Sequence, residues 1–415
     1  MTSGGRVDDL TPDFRRFWWG EAVSSMGSAV TTVALQSLVV FTLAGGTTET
    51  GWLNAARWLP YLVIGLVVGA LVDRVRRRPV MVVSDLARAG LLLLIPLTWA
   101  LDVLSFPILF AIMLLFGTAS VVNDAASQSI VPRLVAREGL QRAHARLDQA
   151  GAAAQTAGPA LGGPLVRVVG APLAFLFDAA TYLFSAVMVA SMRHTPEPVR
   201  STATPGARQL GREIRDGARW AYGASGLRPL ALATHVWFAG QAVVVVLIGP
   251  YAFKELGLTE TQLGLVLAIA GIGALVGAST SGWVGRRVGT VGAITCSYAV
   301  SAAAVVAMLA ATWVSIGWAA AAVLAAGQLC HGWSMGLSNS HEMTYRQRAT
   351  PDALQARTNT TLRSMNRGVV VVVSPLVGVL ADRLGYSPIL AVGAVLFAVS
   401  ALVVAFRVPP PAGIA

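Results

Sequence analysis

Twelve apolar runs, each long enough to cross a bilayer and separated by short basic loops, constrain this 415-residue chain more than any other feature. They lie at 17–43, 51–72, 79–100, 105–131, 147–167, 171–192, 229–252, 260–283, 289–311, 314–343, 359–381 and 386–406. A membrane-spanning helix needs about 20 mostly apolar residues. Charged residues make up 12% of the chain, against about 25% in a typical soluble domain. A soluble fold would need far more polar surface. The sequence therefore predicts an all-α integral membrane protein of twelve transmembrane helices.

The net charge is +11, and the 31 basic residues include a single lysine, Lys254. That skew, with heavy use of Ala, Val and Gly, fits a GC-rich bacterial genome. A basic protein invites a nucleic-acid reading, but here the arginines fall in short loops between apolar runs, and the positive-inside rule explains them better. With the N-terminus in the cytoplasm, 26 basic residues fall in inside loops and termini. Arg167, Lys254 and Arg383 fall outside, and Arg57 and Arg88 within runs. This predicts cytoplasmic N- and C-termini and a multi-pass protein of the bacterial inner membrane. No secretory signal precedes the first run. Cys296 and Cys330 lie in apolar runs without metal-ligand spacing and are expected as buried small hydrophobes. No metal site is expected.

The longest break, 194–228, carries Pro196, Pro198 and Pro205 and then a basic amphipathic stretch, Leu210 to Tyr222. It reads as a cytoplasmic linker with a short helix at the membrane surface. It divides an N-terminal six-helix half, 1–193, from a C-terminal one, 229–407, with a tail at 408–415. The halves repeat. Pro159/Pro375, Gly162/Gly378 and Arg167/Arg383 match at an offset of 216, Leu140-Gln141 and Leu354-Gln355 at 214, and Arg74/Arg286 at 212. Near-constant offsets suggest a duplicated unit, and such repeats place a substrate site between the halves near the midplane.

The loop after the second run reads Gly69-Ala70-Leu71-Val72-Asp73-Arg74-Val75-Arg76-Arg77-Arg78. It resembles the signature loop of the major facilitator superfamily, with Arg76 in place of a glycine, and the resemblance extends over roughly residues 14 to 407. The resemblance implies two pseudo-symmetric six-helix bundles. It also implies a conformational latch built from Gly69, Asp73, Arg74 and Arg77, with Asp85 and Arg88 in the same network. The second copy has Gly285 where the aspartate would stand, so the latch would be one-sided. Gly158-Pro159-Ala160-Leu161-Gly162-Gly163 resembles the helix motif of the family's drug/proton antiporters; its physical content is close packing and a bend. The wider pattern is most similar to the branch of macrolide, multidrug and enterobactin exporters.

Ionisable residues within spans are functional candidates because burying them is costly. Glu21, Ser25, Ser28, Thr32 and Gln36 share one face of the first run within roughly 80°. Asp124, flanked by Asn123, Ser127 and Gln128, reaches a similar depth in the fourth, so Glu21 and Asp124 are expected to share a cavity and to carry protons. In the tenth run His331, Ser334, Ser338, His341 and Tyr345 share a face. Arg57 is expected near the outer side, either reading an anionic substrate or pairing across helices. Asp178 is expected to be structural.

These features favour a proton-coupled exporter of a hydrophobic or amphipathic small molecule, a drug, antibiotic or siderophore-like compound. It would work as a monomer by alternating access, with the proton gradient as energy source and no cofactor. Uptake or exchange of an anionic metabolite, and a non-transporting membrane scaffold or sensor, are the alternatives. No Walker-type loop or catalytic constellation argues for an enzyme.

Overall fold

The computed structural model describes residues 11–72, 75–136, 139–193, 207–223, 226–314 and 317–410. Among them every regular element is helical. The helices are α1 Pro12–Ser37, α2 Thr47–Val63, α3 Gly65–Val72, α4 Arg77–Ala100, α5 Phe106–Leu134, α6 Leu140–Val169, α7 Ala171–Ala190, α8 Ala207–Tyr222, α9 Arg228–Pro250, α10 Glu260–Leu309, α11 Trp318–Ala349, α12 Asp352–Leu384 and α13 Tyr386–Arg407. Local chemistry sets their ends. Thr11 caps α1, its hydroxyl accepting from the Phe14 amide at 3.1 Å, and Pro12 occupies the first turn, where its missing N–H costs nothing. Thr259 and Gln262 form a reciprocal capping box at the start of α10.

Among the described residues, eight helical segments are long and apolar enough to cross a membrane: those built on α1, α4, α5, α7, α9, α10, α12 and α13. The remaining runs meet local breaks or polar sequence. The second splits into α2 and α3 around Ile64, after Pro60 removes a ladder donor. The eighth and ninth join as the 50-residue α10, bent at Gly289, whose φ of 72° needs glycine. α6 and α11 are helical throughout but carry polar turns, and α6, α11 and α12 extend past the apolar runs as polar helix.

Two irregular turns recur at the spacing of the repeat. α1 ends in a π turn, Leu38–Thr42, and α9 ends in another, Tyr251–Glu255. Their closing bonds match: Leu43 N to Leu38 O at 3.0 Å and Leu256 N to Tyr251 O at 3.1 Å, then Gly45 N to Val39 O and Leu258 N to Ala252 O, both 2.8 Å. Gly170 joins α6 to α7 at φ 86°, and Gly385 joins α12 to α13 at φ 88°.

Buried apolar side chains gather accordingly. Two clusters draw on residues 14–192 only, and the largest draws on residues 221–408 together with Val40. Two helix pairs cross between these groups, α2 with α12 and α6 with α10. Small residues let the backbones touch: a Cβ on Gly51 would meet the Ser374 carbonyl, and one on Gly264 the Pro159 carbonyl. The exterior is apolar, with Val168, Trp313 and Phe406 almost fully exposed, as a surface solvated by lipid requires. Cys296 and Cys330 lie on this exterior and not in the interior expected for them. α8 docks on α12, with Gly217 against the Arg357 carbonyl.

Candidate functional site

A cavity of about 550 Å³ opens between the two groups of helices. α1 supplies Glu21, Ser25, Ser28 and Thr32, α2 supplies Arg57, Trp58 and Tyr61, α4 Arg88, α5 Asp124 and α7 Tyr182. Gln328, His331 and Met335 of α11 face them. Most of the polar stripe read on the first run thus lines one cavity with Asp124.

The carboxylates have separate partners. Ser127 Oγ donates to Glu21 Oε1 at 3.3 Å. Tyr61 OH donates to Asp124 Oδ2 at 2.7 Å. Asp124 stands 18 residues beyond Phe106, about 27 Å along α5, and Tyr61 14 residues beyond Thr47, about 21 Å along α2. Both therefore lie far from the end where α2 begins. Arg367 of α12 crosses to the same place, its guanidinium 4.3 Å from the Tyr61 ring centroid and 5.6 Å from that of Trp58. Arg367 is one of the 26 basic residues that the charge pattern places in inside loops and termini; it sits instead within α12, immediately before the apolar stretch that begins at Gly368, against two rings that a cation favours.

Arg88 is 8% exposed and pairs with Asp85 on its own helix, lying 4.2 Å over the Tyr182 ring. Tyr182 OH meets Ser28 Oγ at 2.7 Å. Asp85 also accepts from Asn123 Nδ2 at 3.1 Å. Arg88 therefore lines the cavity, with Asp85 behind it. Asn123, 2% exposed, faces α4, so the expected cavity role does not hold for it. Arg57 lies further along α2 than its expected outer position and makes no side-chain hydrogen bond or ion pair among the described residues, so the expected cross-helix pair does not form.

Other predicted residues fall elsewhere. Gln36 packs on Gly249 in the seam between α1 and α9. Gln128 borders a smaller neighbouring cavity. Ser338 is buried and donates to the Met335 carbonyl at 3.3 Å, and His341 Nε2 meets Ser281 Oγ at 3.1 Å, so neither lines the main cavity. His331 does line it, with Nε2 2.7 Å from Gln241 Oε1 and its ring parallel to Trp237. Asp178 is buried and accepts from Thr31 Oγ1 at 2.6 Å. Asp73 and Arg74 lie outside the described residues. Gly69 falls in α3, and Arg77 Nε donates to Ser129 Oγ at 2.8 Å. Gly158 and Gly162 press on Ala29 and Val30 of α1, while Gly163 faces the Glu260 carbonyl of α10 across the seam. Pro159 offers its carbonyl to Gly264, so the motif packs α6 on two sides.

The cavity is sealed at one end. Asp382 of α12 accepts from the amides of Thr47 at 3.0 Å and Thr48 at 2.8 Å and from the Thr47 hydroxyl. Asn54 Nδ2 donates to Ser374 Oγ at 2.9 Å, and Lys254 Nζ to the Gly45 carbonyl at 2.7 Å.

The family model described as Major Facilitator Superfamily matches residues 17–367 and 230–414. The chain belongs to the major facilitator superfamily. Its curated relatives in that superfamily include the uncharacterized MFS-type transporter y4rN of Sinorhizobium fredii, 27% identical over 59% of this chain and 60% of that protein. The multidrug efflux pump Tap of Mycolicibacterium fortuitum is 27% identical over 61% of this chain and 62% of Tap. Macrolide efflux protein A of Streptococcus pyogenes is 33% identical over 31% of this chain and 32% of that protein. The chain thus spans about three fifths of the length of the first of these relatives. The nucleoside transporter NupG superposes with a TM-score of 0.76 at 12% identity, covering 96% of this chain and 100% of that one. A POT family transporter bound to 5-aminolevulinic acid superposes at 0.77 and 11% identity, covering 95% and 96%. These structures share the major facilitator fold.

Proposed function

We propose that this transporter is a proton-coupled exporter of a hydrophobic or amphipathic small molecule. The observation that carries the reading is that Glu21 and Asp124, from α1 and α5, line one cavity whose wall mixes polar side chains with apolar and aromatic ones such as Trp58, Phe116, Leu267 and Met335. A carboxylate in such a place either holds a proton or attracts a cationic or polar group, and the two states exclude one another. That exclusion is the physical requirement of antiport. The efflux relatives support the direction.

In this reading the chain makes twelve crossings in two six-helix halves, with both termini in the cytoplasm of a bacterial cell and the membrane being the inner one. The sealed end is then the outer face, and the cavity opens inward. Rocking of one half against the other about the α2–α12 and α6–α10 contacts would expose the same residues to the outside. The protein acts as a monomer, without catalysis of a reaction. Susceptibility to a panel of macrolides, dyes and lipophilic cations, measured in an efflux-deficient bacterial host, tests this. Protection that disappears in the Glu21→Gln, Asp124→Asn double variant supports the reading; no protection against any compound removes it.

Arg57 favours a second reading, uptake or exchange of an anionic metabolite. Its guanidinium lines the cavity without a side-chain partner among the described residues, and an anion there would recruit protons to the carboxylates instead of displacing them. Accumulation of an anionic solute that is lost in Arg57→Gln would select it.

A further inference from the structure

A second cavity, of about 230 Å³, lies beside the central one, and Glu21 belongs to the wall of both. All of its lining comes from α1, α5 and α6. Ser127 of α5, which donates to Glu21, lies on it, and so do His144 and Asp148 of α6. His144 and Asp148 are one turn apart, exposed, and within three turns of the start of α6. The cavity therefore runs from a carboxyl group in the central wall to two titratable side chains in contact with water.

We propose that this side cavity is the proton route between Glu21 and cytoplasmic water, with His144 and Asp148 relaying the proton while substrate occupies the central cavity. The proposal rests on the exporter reading, in which Glu21 is a proton carrier. In the inward-open conformer an antiporter must take substrate in from the same compartment to which it gives the proton up. A molecule filling the central cavity would cover Glu21 from that side. A second opening removes the conflict. The proton leaves the Glu21 carboxyl through the side cavity, is taken by Asp148 or His144, and is lost to bulk water. Both relay groups return to their starting forms, and no covalent bond or electron is exchanged.

The charges around this path come from every neighbouring element. Arg88 and Asp85 of α4 and Asp124 of α5 act on Glu21 through space, and Arg57, Tyr182 and His331 share its cavity. Arg142 and Arg146 flank the relay on α6, and the Arg146 carbonyl accepts from Trp18 Nε1 at 3.0 Å.

The test uses the full chain in lipid nanodiscs, with a saturating lipophilic cation, tetraphenylphosphonium, occupying the central cavity. After a rapid pH jump, time-resolved infrared spectroscopy follows the Glu21 carboxyl band, assigned by its loss in Glu21→Gln. The His144→Asn, Asp148→Asn double variant should slow that exchange about a hundredfold, the scale of a positioned proton-transfer group. Ala150→Phe, which fills the side cavity, should slow it too, while Leu402→Trp on the exposed exterior of α13 should not. Exchange at the wild-type rate in the double variant overturns the proposal, as does equal slowing by Leu402→Trp. If Ala150→Phe does not fold, the double variant at exposed positions decides. A Glu21 band that never titrates overturns the exporter reading itself, and the side route with it.

Discussion

Asp382 caps a helix that starts 335 residues before it: its carboxylate takes the amides of Thr47 and Thr48 in the first turn of α2, whose own N-cap, Gly46, has no side chain. A helix N-terminus carries partial positive charge and unsatisfied donors, and a carboxylate is the best partner for both. Because the cap comes from the opposite group of helices, α2 has it only while this end of the cavity is shut. Helix capping and conformational state are thereby linked.

Asp382→Ala should therefore favour the conformer open at this end. Losing a cap costs about 1 kcal/mol, and roughly fivefold in the equilibrium between the two conformers follows. The check is Asn54→Cys, whose labelling by a membrane-impermeant thiol reagent should rise in the Asp382→Ala background. Unchanged labelling contradicts the linkage.

Gly264→Leu should act in the same direction and more strongly. A side chain there has to displace the Pro159 carbonyl, and backbone gives way less easily than a side chain. The variant should insert and fold, since each bundle packs on its own core. It should lose transport while labelling of Asn54→Cys from outside increases.

Arg88 and Asp85 should behave as a unit in stability. Arg88→Leu leaves a buried carboxylate without its partner, a loss of about 3–5 kcal/mol in comparable buried pairs. The Asp85→Asn, Arg88→Gln double variant removes both charges and should unfold at a higher temperature than Arg88→Leu alone in a thermal scan in detergent. Equal melting of the two would show that the pair is not coupled.

The sequence was most informative where periodicity and charge act alone. Long apolar runs predict helices whatever their neighbours, and the polar stripe from Glu21 to Thr32 follows from 3.6-residue geometry, which also aligns Asp124 with it. Gln36 left the cavity because the π turn at Leu38–Thr42 follows directly and its side chain meets Gly249, a contact that only the assembled seam creates. Asn123 and Asp124 are adjacent, so a helix must point them to different neighbours; which one faces α4 is settled by packing. Arg367 was hidden for the opposite reason. A basic residue near the end of an apolar run reads as a loop charge until aromatic rings from another helix are seen beneath it. Tyr61, which holds Asp124, carries no local signal beyond a hydroxyl four residues from Arg57. The matched π turns had no signature in the repeat, whose clearest sequence matches lie in α6 and α12.

Proton coupling through Glu21 and Asp124 is what would make this transporter an antiporter. The measurement is uptake of a transported dye into inverted proteoliposomes, with the proton gradient imposed, collapsed or reversed, in the wild type and in Glu21→Gln and Asp124→Asn. Accumulation that follows the gradient in the wild type, and is uncoupled from it in one or both variants, is the predicted result. Transport that ignores the gradient, or that keeps its full dependence in both variants, would contradict it.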